Sequence, residues 1–231
     1  MRQRYVHVLS FDDATHPWRI NMSKSFCIVL FLAAGLVASQ EPQPVALPAP
    51  QAEGGKPLME ALKHRQSTRE FSAEKLSPQV LSNLLWAAWG INRADGRRTA
   101  PSASNRQEIE VYVVTGDGAY AYDAKDHLLR PVVREDIRKF TGTQGFVAEA
   151  PLNLVYVADW SKLGGAEESS KIATSHADTG FIAQNVYLFC ASEGLGSVVR
   201  GSVNRAELAK ALHLRADQRI TLAQTVGYPG K

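Results

Sequence analysis

Two arginines four residues apart flank hydroxyl side chains in Arg65-Gln66-Ser67-Thr68-Arg69. Guanidinium groups at that spacing can fork onto one tetrahedral dianion while Ser67 donates a further hydrogen bond, which is the chemistry of a phosphate grip. The same residues equally suit the solvated basic end of a helix, where the macrodipole favours cations. A second cluster, Pro101-Ser102-Ala103-Ser104-Asn105-Arg106-Gln107, sets small polar residues after a proline. Its amides and carboxamides could hydrogen-bond the edge of a planar heterocycle, or make an ordinary turn. A third, Glu193-Gly194-Leu195-Gly196, ends an apolar helical stretch in two glycines. Glycine lets backbone amides approach a ligand closely, and it also makes a plain helix C-cap.

Helical and strand patterns alternate from Pro57 onward with no second linker, so the clusters belong to one domain of 57–231. Pro57 suits the first turn of a helix with Leu58, Ala61 and Leu62 on one face, and the Arg65 cluster follows it. Ser77-Pro78 opens a second helix that runs to Gly90, with Trp86 and Trp89 packed in the core. Ile109 to Val114 alternates as a strand that turns through Gly116-Asp117-Gly118 into Ala119 to Asp123. Val132 to Phe140 reads as a short charged helix. Leu152 to Ala158 is continuously apolar, hence a central strand covered on both faces. Ser175 to Glu193 is a long buried helix holding Cys190, and Ser197 to Val199 is a short strand. Asn204 and Glu207 form a capping box for a helix to His213, and Ile220 to Val226 is the last strand. The sum is an α+β sandwich without internal repeats.

With 231 residues, 45% hydrophobic and 21% charged, the chain is neither a disordered polyampholyte nor a multi-span membrane protein. Its net charge of +3 is spread along the sequence and gives no reason to expect a nucleic-acid partner. Two cysteines, Cys27 and Cys190, exclude a disulfide framework and a multi-thiolate zinc site, and no metal is expected. No glycine fingerprint follows a strand, so no Rossmann site for nicotinamide is expected.

The first part of the chain reads as targeting rather than fold. Met22-Ser23-Lys24-Ser25 precedes an apolar run from Phe26 to Val37 that ends in Ala38-Ser39, the three parts of a secretory signal peptide. The run is shorter than the roughly twenty residues needed to span a bilayer. The expected organisation is an upstream extension over 1–21 with Met22 as the start, a signal peptide over 22–39, and a proline-rich linker over 40–56. Cleavage after Ser39 removes Cys27 together with Arg2, Arg4, Arg19 and Lys24, leaving an exported, nearly neutral protein with no membrane span.

Taken in order, RxSxR, PSxxN, a buried helix ending in EGLG and the closing Val226-Gly227-Tyr228-Pro229 resemble the nitroreductase family of FMN-dependent oxidoreductases across essentially all of 57–231. Within that family GDGAYAYDAKDHLL and QTVGYPGK look most like the SagB-type dehydrogenase branch. The resemblance implies a three-layer α/β/α sandwich with a central, mostly antiparallel sheet, and a homodimer with FMN at its interface. It implies that Arg65, Ser67 and Arg69 hold the FMN phosphate and ribityl chain and reach the pyrimidine edge. It places Pro101, Ser102, Ala103 and Asn105 along the isoalloxazine with Gln107 near it, backbone groups of Glu193, Gly194 and Leu195 around flavin N5 and O4, and Lys231 on the phosphate. The family often continues NxQPW, where this chain reads Asn105-Arg106-Gln107-Glu108-Ile109.

The activity so implied is ping-pong hydride transfer through N5 between a donor such as NAD(P)H and a small acceptor such as a nitroaromatic or quinone. No catalytic acid or base is assigned, His176 and His213 being the nearest candidates. NAD(P)H is scarce outside the cytoplasm, so an exported enzyme of this kind calls for another donor. Two alternatives stand beside it: a non-catalytic flavin-binding or scavenging protein, and a dehydrogenase that oxidises a peptide-derived heterocycle.

Overall fold

A computed structural model describes residues 43–230; the expected extension and signal peptide, residues 40–42 of the linker and Lys231 lie outside the described residues. The described residues belong to a single compact unit. Its elements are β1 (Val45–Ala46), α1 (Leu58–His64), α2 (Pro78–Trp89), β2 (Ile109–Thr115), β3 (Gly118–Asp123), β4 (Leu128–Val133), α3 (Phe146–Glu149), β5 (Leu152–Asp159), α4 (Glu168–Glu193), β6 (Gly196–Arg200), α5 (Arg205–Ala211) and β7 (Gln218–Gly227). The strands form one sheet in the order β1-β4-β3-β2-β5-β7-β6, and every pairing is antiparallel.

Strand alternation divides the core between the two faces of the sheet. Val111, Val113, Leu154 and Tyr156 face Leu84, Leu85, Ile182 and Val186 of α2 and α4. Tyr112, Val114, Val155 and Val157 face Ile137 and Leu208 on the other side. Successive side chains of one strand therefore serve opposite layers, and the molecule is the expected α/β/α sandwich. All eight residues of β5 are buried, as its unbroken apolar run requires. Ser77 caps α2 by accepting the Val80 N–H, Pro78 occupies its first turn, and Gly90 ends it. Asn204 accepts the Glu207 N–H at the start of α5.

Two expectations are corrected. Val132 to Phe140 is not a helix: Leu128–Val133 is β4, hydrogen-bonded to β3, and only Arg138–Phe140 winds into a 3₁₀ turn. Pro131 sits where the β3–β4 register shifts, a position at which a strand tolerates a residue with no N–H to donate. The proline-rich stretch is also not a free spacer from residue 43 on. β1 pairs with β4, and the chain beyond it is strapped to α2. Ser82 Oγ donates to Pro48 O at 2.6 Å, Gln79 Nε2 to Ala49 O at 3.0 Å, and Gln51 N to Asn83 Oδ1 at 2.9 Å. Because the Ser82 proton is committed to Pro48, Ser82 Oγ accepts from His127 Nε2 at 2.7 Å. His127 Nδ1 then accepts from the Tyr122 hydroxyl at 3.0 Å. Burial holds the His127 imidazole below its ordinary pKa, in keeping with this neutral tautomer.

Candidate functional site

The arginine cluster lies against the open edge of the sheet. β6 is the terminal strand, and its outward backbone groups need partners that no further strand supplies. Thr68 N donates to Ser197 O at 2.9 Å, and the Tyr187 hydroxyl on α4 accepts the Val199 N–H at 2.8 Å. The segment after α1 therefore runs extended beside β6 and replaces a missing strand. Gly196 permits this approach, since a Cβ there would stand 2.9 Å from the Thr68 side chain.

Tyr187 also holds Ser67, hydroxyl to hydroxyl at 3.0 Å, and its ring lies under the Arg65 guanidinium, 5.3 Å from the centroid. With the phenol oxygen accepting from Val199, its own proton is free to go to Ser67 Oγ. Ser67 is exposed, and its proton is in turn free for a ligand. Neither Arg65 nor Arg69 meets a carboxylate within ion-pair distance among the described residues. Two unneutralised guanidiniums and a donating hydroxyl on one extended segment form a set of donors suited to a dianion.

The end of β7 arrives at the same place. Ser72 N donates to Tyr228 O and Gly230 N to Glu70 O, both at 2.9 Å. Arg69, Phe71, Tyr228 and Gly230 line a hollow of about 790 Å³ with Phe146. The residue that follows Gly230 is Lys231, outside the described residues. On the other side of the segment Gln66, Thr68, Gly194 and Leu195 line a smaller hollow of about 200 Å³. Gly194 is the left-handed cap of α4 (φ 73°), and Leu195 is buried. The Glu193 side chain accepts from Ser192 Oγ at 3.0 Å, near Gly55. The segment after α1 thus carries Arg65, Ser67 and Arg69, and through Gln66 and Thr68 it borders Gly194 and Leu195.

The Pro101 cluster is elsewhere in the same chain. Ala103 N donates to Asp178 Oδ2 on α4 at 2.9 Å. Asp178 and Tyr187 are nine residues apart on α4, about 13–14 Å along the axis and half a turn around it. The α4 residues that anchor the 101–107 loop and the arginine segment therefore lie on opposite sides of that helix. The loop is strained and heavily tied. Ser104, Asn105 and Gln107 all have positive φ (54°, 51° and 48°). Gln107 N donates to Ser102 Oγ, and the Gln107 carboxamide accepts from Arg98 Nε and donates to Gly96 O and Asn105 Oδ1. Arg106 Nη1 reaches Leu163 O, and Lys162 Nζ reaches Gln107 O.

Glu108, which the sequence patterns did not single out, is completely buried beside Asp178, and neither of its carboxyl oxygens meets a donor. Burial pushes its pKa up to about 7, the Asp178 carboxylate beside it adds to the rise, and Lys162 opposes it. The departure of this chain from NxQPW at position 108 was the signal available in the sequence. Cys190 is buried with its thiol pushed well up by desolvation, which leaves it inert. His176 is exposed and turned to Ile172 O, and His213 follows α5; neither stands with the arginines.

No group of metal-ligating side chains occurs among the described residues, and no helix among them is long and apolar enough to cross a membrane. A family model described as Nitroreductase family matches residues 62–228. A provisionally named nitroreductase of Methanocaldococcus jannaschii is 30% identical over 168 residues, spanning 68% of this chain and 85% of the relative. The crystal structure of a protein of Ralstonia eutropha JMP134, likewise classed provisionally as a nitroreductase, superposes with a TM-score of 0.79 at 43% identity over 82% of this chain and 91% of that one. The E. coli microcin synthetase McbBCD complex contains a chain of the same fold (TM-score 0.63, 19% identity, 83% of this chain and 80% of that one).

Proposed function

The chain belongs to the nitroreductase family of oxidoreductases, and from that premise we propose that it is an exported, FMN-dependent oxidoreductase whose flavin site is shared between two copies of the chain. The observation that carries the cofactor reading is the pair of uncompensated guanidiniums, Arg65 and Arg69, around a Ser67 whose proton Tyr187 leaves free. This donor set fits a phosphate monoester. In this reading Arg65, Ser67 and Arg69, with Lys231, bind the phosphate and ribityl hydroxyls, and Gly194 and Leu195 offer backbone groups to the ring. Glu193 contributes through its backbone in the same way, while its carboxylate accepts from Ser192 Oγ.

The reading of a shared site rests on α4, which separates the 101–107 loop from the arginines of the same copy. A second copy supplies Pro101, Ser102, Ala103, Asn105 and Gln107 to the isoalloxazine. Leu58, Met59 and Leu62 on α1 and Ile172 and Phe181 on α4 are exposed apolar side chains of the kind such an association covers. When bound, FMN supplies hydride acceptance and donation at N5. The protein's own groups bind and orient it and exclude water, and no side chain of the arginine site is an acid or base.

The donor is NAD(P)H or, after export, another reductant, and the acceptor is a small nitroaromatic or quinone. The SagB-type reading rests on GDGAYAYDAKDHLL and QTVGYPGK, and the export reading on the segment 22–39. The visible spectrum of the purified protein tests the cofactor reading. A flavin band lost on denaturation supports it, and a colourless protein that takes up no added FMN refutes it. Anaerobic reduction by NADH or NADPH and reoxidation by a quinone separate an oxidoreductase from a flavin carrier. Sedimentation with and without FMN tests the dimer.

A further inference from the structure

Glu108 and Asp178 are two buried carboxyl groups side by side, 0% and 3% exposed, with no buried cation between them. Asp178 already accepts the Ala103 N–H, whereas Glu108 has no donor at either oxygen. Two carboxylates in such a place cannot both be ionised, and a proton between them satisfies one oxygen of each. The loop they adjoin carries three non-glycine residues at positive φ, a strain that persists only where surroundings hold it.

We propose that Glu108 is a positioning residue: it shares one proton with Asp178, and through Asp178 and Ala103 it pins the 101–107 loop in the strained form that meets the flavin, an inference that rests on the cofactor reading above. Glu108 is itself held, its carbonyl accepting from Asp159 N at 2.9 Å between the start of β2 and the end of β5. The charged groups facing the pair are few. Asp178 comes from α4, and Lys162 from the turn after β5 with its amine on Gln107 O. Arg106 points to Leu163 O, and Arg98 holds the Gln107 carboxamide. No arginine neutralises the pair. Loss of the shared proton sets two negative charges against each other under Ala103, and the loop relaxes.

The test is FMN binding to the full chain, followed by visible absorbance from about pH 5.5 to 9, beside the melting temperature of the flavin-free protein over the same range. The wild type should lose affinity roughly fivefold or more as the pH rises above neutrality, while its flavin-free melting temperature should fall as the pH rises toward about 7 and level off beyond it. In Glu108→Gln the amide is a permanent donor to Asp178, so both profiles should flatten. In Asp178→Asn the amide can donate to an ionised Glu108 while its oxygen still accepts from Ala103, so the step should move to lower pH. The phosphate of FMN titrates alike in all three proteins, so the difference between them isolates the pair. A Glu108→Gln profile that falls as steeply as the wild type overturns the proposal. A wild type that binds no FMN at any pH overturns the cofactor reading instead, and the melting profiles then decide the pin on their own.

Discussion

The Tyr187 hydroxyl joins the sheet edge to the arginine site, so Tyr187→Phe should affect both, by separable amounts. The substitution keeps the ring under Arg65 and removes one oxygen. That oxygen accepts the Val199 N–H at 2.8 Å and contacts Ser67 Oγ at 3.0 Å, and Tyr187 is 8% exposed. Leaving the edge amide without an acceptor costs about 1–2 kcal/mol, since Val199 is only half-buried and water reaches part of the gap. For a domain of this size that lowers the melting temperature by roughly 2–4 °C per kcal/mol. Ser67 loses the donor that fixes its own proton toward a ligand, which should weaken FMN about fivefold. Urea denaturation measures the first effect and a visible FMN titration the second. Ser67→Ala on the Tyr187→Phe background should add little to the binding loss, because the two hydroxyls act as one chain. If Tyr187→Phe leaves both the urea midpoint and the FMN dissociation constant unchanged, the hydroxyl does not link strand and site. Fully additive losses in the double variant would remove the proton chain from the reasoning.

Arg65→Ala should weaken FMN by about 2 kcal/mol through loss of a charge-assisted contact, with little effect on the urea midpoint, and equilibrium titration checks both. Leu154→Ala, in the fully buried central strand, should cost about 2–5 kcal/mol by denaturation and leave the flavin spectrum of the folded fraction intact. Burial keeps His127 neutral in the fold, so the unfolded chain binds the extra proton below the ordinary histidine range, and stability falls as the pH drops through about 6.5. Limited proteolysis of the strap over 43–56 should quicken across that interval, and His127→Gln should make the dependence shallower.

Much of the fold is written in local patterns, because the forces that set it are local or periodic. Ser77-Pro78 and Gly90 bound α2 by capping chemistry, and the apolar run of β5 needs cover on both faces wherever it lies. RxSxR is legible as a set of free donors for the same reason, since Arg65, Ser67 and Arg69 lie within five residues. What escaped depends on partners distant in sequence. Val132, Val133, Ile137 and Phe140 mimic a helical face, and β3 overrides that by offering a ladder to Leu128–Val133. Val45 and Ala46 pair with Leu129 and Leu128, more than eighty residues on, while their own neighbourhood reads as a proline-rich spacer. Glu108 looks solvated beside Gln107 and Glu110, and only the arrival of α4 with Asp178 buries it. The separation between the 101–107 loop and the arginine segment is invisible in the motifs, because it arises from the rise and rotation between Asp178 and Tyr187 along one helix.

The place of β7 in the sheet has a consequence for how the chain reaches its folded state. The last strand made lies between β5 and β6, so those two strands have no ladder with each other until it enters. A polypeptide emerging amino end first holds β2, β3, β4 and β5 as an incomplete sheet, with β6 and the arginine segment waiting for a template. The final joining is long-range and slow relative to the local hairpin. The sheet therefore closes only when Gln218–Gly227 enters between β5 and β6.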